Sequence, residues 1–387
     1  MFINEFFSFL NKWLRAIDNF IFETLTPWQL CALLAGYCAL VHGMWTVPMG
    51  ASYQVSKNPF INIYSQSPAD QYNYDSLVIP WVAYASGLNR SPFLFACLNV
   101  TFIVAAISVL LNGVRRKWGI DFAKITILIL GLDPVSATLL TWIGSYDSMT
   151  FILQSILFLT GNWGGALVLG ILGGLNHFPI ALFSGTYFIC FRGAFLRHNK
   201  TKGTLLFYWA GLGIGYAALK IYQYHYHLNI SYDRFGAAER LGLKPLARMI
   251  LTNWLATAFS FYNVLWMAVL CIVFFLYRRN ARAFWCFVAG NCTFVLLAVV
   301  TLDTTRVFAL LSWPMLAWGV LAIFSYSKSQ GLECYLKTRA FLCAILIAGL
   351  VIPRVLVWEG RIQSSRHIDI VRALLQSSEI KPSSRAP

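Results

Sequence analysis

Residues 92–117 read PFLFACLNVTFIVAAISVLLNGVRRK. The first 23 carry no charge, and Arg115, Arg116 and Lys117 follow at once. A helix rises 1.5 Å per residue, so an uncharged run of that length crosses the ~30 Å hydrocarbon core of a bilayer. The basic triplet marks the end that stays at the membrane surface, on the cytoplasmic side by the positive-inside rule. This one stretch sets the class of the chain, and the rest can be read outward from it.

Similar apolar segments stand at 28–47, 122–142, 146–160, 163–177, 179–191, 203–223, 251–277, 283–301, 307–326 and 340–357. Three of them, between 146 and 191, fall short of the roughly 20 residues a full crossing needs. The Gly161–Gly165 run and the Gly173-Gly174…Pro179 stretch read as breaks there. The expected fold is all-α: a polytopic membrane helix bundle of about 10–11 segments, with short broken helices and an extracytoplasmic active-site cavity. Residues 1–27 read as an interfacial amphipathic segment, 28–357 as the transmembrane domain and 358–387 as a polar tail. Two long outer loops are expected, at 48–91 and 224–250.

Composition agrees. Charged residues make up 12% of the 387, where soluble domains carry about 25%. That excludes a soluble cytosolic or secreted globular enzyme. The net charge of +15 raises the question of nucleic acid, and the position of the charges answers it. With the N-terminus cytoplasmic, 16 Lys and Arg fall in cytoplasmic segments and 7 outside, the tail aside. They cluster at span ends, as topology and anionic lipid require, and no basic groove interleaved with aromatics occurs. The lipid bilayer is therefore the expected partner, and nucleic acid is not. The tail's Arg361, Arg366, Arg372, Lys381 and Arg385 would lie outside and are the one misfit. The nine cysteines show no CxxC or Cys/His ligand spacing and read as small apolar residues, so no metal site is assigned to them.

The acids sort to one face. Asp70, Asp75, Asp147, Asp233, Glu239 and Asp303 all fall on the outer side, with His177, Arg234 and Arg306. A carboxylate at a membrane helix is costly unless it is paired or faces water, so this sorting points to a polar cavity opening outward. In the first outer loop, Asp70-Gln71-Tyr72-Asn73-Tyr74-Asp75-Ser76 sets two carboxylates among Tyr and Asn, ahead of an amphipathic Leu77–Tyr84. Such a pair can serve as a general base with a hydrogen-bonding or metal-associated partner, or can be solvated turn residues. Asp133-Pro134 and Gly144-Ser145-Tyr146-Asp147 follow; Asp147 suits a helix N-cap as well as it suits a site. Gly170-Ile171-Leu172-Gly173-Gly174-Leu175-Asn176-His177 puts small residues on a packing face and ends at a polar pair. Asp303 and Arg306 can form a local i,i+3 ion pair, or can orient and hold a phosphate. Arg234, Arg240, Lys244 and Arg248 compete for that phosphate.

Three of these features in order resemble the GT-C-type integral-membrane glycosyltransferases, among them the dolichyl- or polyprenyl-phosphate-sugar-dependent mannosyltransferases. They are an acidic, Tyr-containing first outer loop with Asp70 and Asp75; a D-P…G-x-x-D connection, here Asp133-Pro134 and Gly144 to Asp147; and a Gly-rich helix from Gly170 to Pro179. The likeness covers about residues 60–190. His177 stands where those helices carry Lys, and the tight acidic pair of the first loop is absent. The resemblance implies a sugar transfer from a polyprenyl-phosphate-linked donor to a glycan or lipid-linked acceptor. It makes Asp75, Asp70 and Asp147 the catalytic carboxylates, with Asp75 favoured as base. His177, Arg306, Asp303, Arg234, Tyr72 and Tyr74 are then the substrate- and phosphate-binding residues. A divalent cation, Mg or Mn, is compatible with that chemistry without being demanded. The implied location is a bacterial inner membrane with the active face periplasmic. Two other readings stay open. One is a lipid-linked oligosaccharide polymerase or ligase using the 224–250 loop. The other is a transporter or flippase, for which Asp133, Lys220 and Arg354 are the ionisable candidates within spans.

Overall fold

In the computed structural model the described residues are 12–43, 49–66, 68–196, 201–228, 251–301, 303–358, 361–367 and 369. Every apolar segment predicted from the sequence contains a helix. α1 is Pro27–His42, α2 Met49–Lys57, α3 Val78–Ser86 and α4 Pro92–Trp118. α5 (Ile120–Leu132) and α6 (Pro134–Thr141) meet at a bend of 66°. α7 (Asp147–Leu159), α8 (Trp163–Asn176), α9 (Phe178–Leu196) and α10 (Thr201–His225) follow. α11 is Trp254–Tyr262, α12 Trp266–Arg279, α13 Ala281–Val299, α14 Thr304–Ser329 and α15 Leu332–Val351. Among the described residues, 7 helical stretches are long and apolar enough to cross a membrane, and the bent α5–α6 pair makes up to 8. α7 and α8 are the shorter apolar helices between them. The architecture is that of a multi-pass membrane protein.

Two expectations are corrected. The segment at 179–191 is not a short helix: α9 runs the 19 residues Phe178–Leu196, because Arg192 is absorbed into it. Arg192 is buried and donates to the carbonyls of Leu157 and Phe158 at the end of α7, where a cation meets the negative end of the helix dipole. The second correction concerns the C-terminal end of the spans, in a fold whose bundle is all-α as expected. The segment 340–357 leaves its helix at Val351, and Val355–Trp358 (β1) pairs antiparallel with Arg361–Ser364 (β2). This hairpin brings part of the expected tail back onto the bundle: Arg366 N–H donates to Val41 O, and His367 packs edge-on against Tyr37.

α14 is the axis of the bundle. It is apolar nearly all round, and α5, α6, α7, α9, α11, α12, α13 and α15 all pack on it. Pro314 inside it removes the N–H that would bond the Leu310 carbonyl four residues back. Gln154 of α7 supplies the missing donor: its Nε2 reaches Leu310 O at 2.6 Å, while its Oε1 accepts from Trp313 Nε1 at 2.6 Å. The α5–α6 bend is resolved in the same way. The residue before a proline avoids the helical region, so Asp133 is extended and caps α6 through Val135 N–H. The Gly131 carbonyl freed there accepts from Arg354 Nη2 at 2.8 Å.

Gly173 and Gly174 do not break the chain; the break comes at His177, before Pro179. The glycines instead let α8 and α10 touch backbone to backbone. A Cβ on Gly170 would lie 2.3 Å from Tyr208 O, and one on Gly215 would lie 2.1 Å from Ile171 O. This is small-residue packing of the kind bilayer helices use. It fixes the C-terminal turn of α8 against α10, which sets the site.

Candidate functional site

The chain alternates direction along the bundle, so the first loop, the α6–α7 turn, the α8–α9 turn, the end of α10 and the start of α14 share one end. Contacts between them confirm it: Leu77 N–H donates to Leu175 O, Gln223 to Tyr74 O, and Arg306 to Asp147. Of the sorted acids, Asp75, Asp147 and Asp303 are brought to this end, while Asp233 and Glu239 lie outside the described residues.

The first loop is built, not slack. α2 and α3 frame a 3-10 helix at Pro68–Asp75. Tyr74 is fully buried, and its hydroxyl donates to Ile61 O at 2.6 Å while accepting from Ile63 N–H. Val55, Tyr74, Leu77, Leu219 and Leu228 form a small core of their own beneath it. Burial pushes the Tyr74 hydroxyl pKa upward, so it acts as a neutral hydrogen-bonding anchor. Tyr72 is half-buried on the same helix. Asp70 belongs to this helix too, but its side chain lies outside the described residues.

Asp75 ends the helix, and its side chain is 17% exposed. Two donors from α10 converge on one of its oxygens: Lys220 Nζ at 3.4 Å and Gln223 Nε2 at 3.2 Å, both to Oδ1. Among the described residues Oδ2 has no hydrogen-bond partner. A carboxylate with one anchored oxygen and one open oxygen is oriented and still able to take a proton. The Lys220 contact is longer than the 2.7–2.9 Å of a strong charged hydrogen bond, and its side chain is 38% exposed. A pair of that kind contributes about 0–1 kcal/mol.

Asp147 is held quite differently. It is the first residue of α7 and 1% exposed, and it does not cap that helix. Arg306 grips it with a fork, Nε to Oδ2 at 2.7 Å and Nη2 to Oδ1 at 3.1 Å. The third arm, Nη1, binds Asp303 Oδ2 at 2.7 Å, so the i,i+3 pair expected from the sequence is present. The guanidinium lies over Trp142 (4.5 Å) and Tyr146 (5.2 Å). Two carboxylates against one guanidinium leave this cluster with a net negative charge. That field opposes a phosphate, and both oxygens of Asp147 are already taken. The cluster is a buried tie between α7 and α14.

His177 sits between the two carboxylate sites. Its ring stacks on Tyr146 at 4.8 Å, and its Nδ1 accepts the Ile180 N–H at 3.4 Å, which caps α9. Behind it lies a narrow cavity of ≈ 20 Å³, lined by Thr150, Gln154, Asn176, His177 and Tyr208 among apolar neighbours. That is room for about one water. Asn176 Oδ1 is buried there with no hydrogen-bond partner among the described residues. Lys220 leans over Tyr216, which packs on Phe178, so ring contacts run from Asp75 to the His177 turn. Arg234, with Arg240, Lys244 and Arg248, lies outside the described residues. Among the described residues no three His, Cys, Asp or Glu side chains converge as a metal-holding group.

Gln223 was not singled out in the sequence, and Lys220 only as an ionisable candidate for a transporter. Lys220 reads there as a span-end lysine that reaches for the interface, and nothing local ties it to Asp75, 145 positions earlier. The signal available was its place about one turn before the polar Tyr224–His227 run. The C-terminal hairpin was also missed. Trp358 packs edge-on against Trp142, and Val357 N–H donates to Thr305 Oγ1, so the hairpin closes one side of the Arg306 cluster. Compared with family models, with curated proteins and with solved structures, this chain matches none.

Proposed function

We propose that this chain is a membrane glycosyltransferase, moving a sugar from a polyprenyl-phosphate donor to a glycan or lipid-linked acceptor at the bundle end that carries Asp75. The observation that supports it is the state of that carboxylate: anchored through Oδ1 by Lys220 and Gln223, open at Oδ2, and held in a folded loop at a membrane surface. The acceptor hydroxyl gives its proton to Asp75 Oδ2, and its oxygen bonds to the anomeric carbon. The bond from that carbon to the phosphate oxygen breaks, and the electron pair leaves with the lipid phosphate. Asp75 on one face and phosphate on the other make the transfer inverting. Asp147, Asp303 and Arg306 contribute by fixing α7 against α14, which holds the His177 turn beside the site.

Mass spectrometry of lipid-linked glycans in cells carrying the wild-type chain, Asp75→Asn or no chain tests this. A glycan that disappears equally in the last two, with Asp75→Asn protein present at normal level, is the expected result. An unchanged glycan profile in the absence of the chain refutes the enzyme reading. A transporter is the second reading, and a specific pair of groups favours it. Asp133 and Arg354 are both buried at 1% exposure or less, and among the described residues Asp133 Oδ2 and Arg354 Nε each lack a partner. Ionisable groups at such depth serve ion and substrate pathways in membrane proteins. Substrate flux that persists in Asp75→Asn and vanishes in Asp133→Asn separates the two.

A further inference from the structure

The Lys220–Asp75 contact has features that a structural ion pair lacks. It is long at 3.4 Å, and its lysine is 38% exposed. Its carboxylate is independently held by Gln223, which also donates to Tyr74 O at 3.0 Å. Remove the lysine and Asp75 stays in place. The lysine side chain, for its part, rests on the Tyr216 ring and carries four methylenes that let it swing. Contrast Arg339, at the opposite end of the bundle. It is 7% exposed and forked onto Asp18 at 2.9 Å on both arms, with Glu23 at 3.2 Å, and it pins the segment ahead of α1 to α15. That is what a structural pair looks like in this chain; Lys220 is built otherwise.

We propose that Lys220 is an exchangeable counter-ion: at rest it neutralises Asp75, and a bound phosphate group draws it away, placing the cation on the phosphate and leaving the carboxylate free to act as base. This rests on the glycosyltransferase reading and names the group that would handle its leaving phosphate. The charges run in the right direction. A donor phosphodiester carries one negative charge, and the phosphate it releases carries between one and two. An ammonium therefore gains more from the leaving phosphate than from the donor, which is the condition for speeding the step and not merely binding substrate. The exchange also couples the two halves of the reaction, because the carboxylate is relieved of its counter-ion only when a phosphate is present. Arg306 is not a competing candidate, since three of its N–H groups are committed to Asp147 and Asp303.

Calorimetric titration of the full chain in nanodiscs tests it, with farnesyl phosphate, uncharged farnesol and inorganic phosphate as the probes. Wild type binds farnesyl phosphate and not farnesol; Lys220→Met loses about tenfold or more, and Lys220→Arg stays within about threefold, since a charged hydrogen bond is worth that much. Asp75→Asn tightens binding, because it removes the anion that competes for the ammonium. A merely structural bridge predicts the reverse for Asp75→Asn, and it decides the matter even if Lys220→Met fails to fold. Competition by inorganic phosphate at equal strength assigns the site to free phosphate; failure to compete assigns it to the lipid headgroup. Equal binding by Lys220→Met and wild type, or binding of farnesol as tight as its phosphate, overturns the proposal. The glycan measurement on Asp75→Asn is separate, so the transferase reading can stand while this exchange fails.

Discussion

Gln154 and Pro314 make a two-residue test of how this bundle tolerates a proline in its central helix. Replacing Gln154 by Leu removes the donor to Leu310 O and the acceptor of Trp313 Nε1, both at 2.6 Å and both buried. Ser184, which also receives an N–H from Gln154 at 3.0 Å, can turn to its own backbone. Two stranded buried groups at about 1–3 kcal/mol each suggest about 2–6 kcal/mol. Inter-helix hydrogen bonds measured inside bilayers are weaker, averaging about 0.6 and reaching about 1.7 kcal/mol, so the low end applies and about 2 kcal/mol is expected. Pro314→Ala restores the backbone N–H that Leu310 O lacks. In that background Gln154→Leu strands only the indole, and its cost falls to about half, a coupling of about 1 kcal/mol. The assay is reversible unfolding of the four proteins in mixed micelles titrated with dodecyl sulfate. Equal costs of Gln154→Leu in the two backgrounds, within about 0.3 kcal/mol, would falsify the claim that Gln154 repairs the proline gap.

Asp147→Ala leaves the Arg306 guanidinium buried with only Asp303 beside it, and should cost about 3–5 kcal/mol of stability, whereas Asp75→Asn should leave the unfolding midpoint near wild type and act only on the proposed transfer. A midpoint for Asp147→Ala equal to wild type contradicts that division. Gly215→Leu drives a side chain into the Ile171 carbonyl and should separate α8 from α10, while Gly213→Ala, which meets nothing within 4 Å, should be neutral or stabilising by up to about 1 kcal/mol. Unfolding midpoints of the two variants in mixed micelles report which occurs. His367, packed on Tyr37 and near Arg354, has its pKa pushed below the ordinary 6.5 by burial and then by that cation. The folded state thus disfavours the proton: its contribution to hairpin docking is full above pH 6.5 and fades as the pH falls toward the lowered value. Protease nicking near the hairpin should rise on acidification in wild type and less so in His367→Gln; identical profiles would exclude His367 as the cause.

The spans were legible because a bilayer demands long apolar runs, and residues 92–113 satisfy that demand with no reference to any other part of the chain. The Asp303–Arg306 pair was legible for a similar reason, being three residues apart on one helix. The bend at Asp133-Pro134 was visible as a helix-end turn. What could not be read was who pairs with whom. Asp147 looks like an N-cap in sequence, and only α14 delivers the arginine, 159 positions later, that takes both its oxygens. Gly173 and Gly174 read as breakers until α10 is seen lying on them. Arg354 reads as a span-end cation, yet it is buried on the Gly131 carbonyl that a distant proline set free.

By itself, then, the sequence determined a membrane helix bundle, its spans and the gathering of acids toward one set of loops, because hydropathy and charge act locally along the chain. Only the tertiary structure decided which acid is available. Asp75 and Asp147 are the same residue type in similar loops. One meets a loose, half-exposed lysine and keeps an open oxygen, while the other is closed by a buried fork. That difference is made by partners on α10 and α14, and it exists only once those helices have packed.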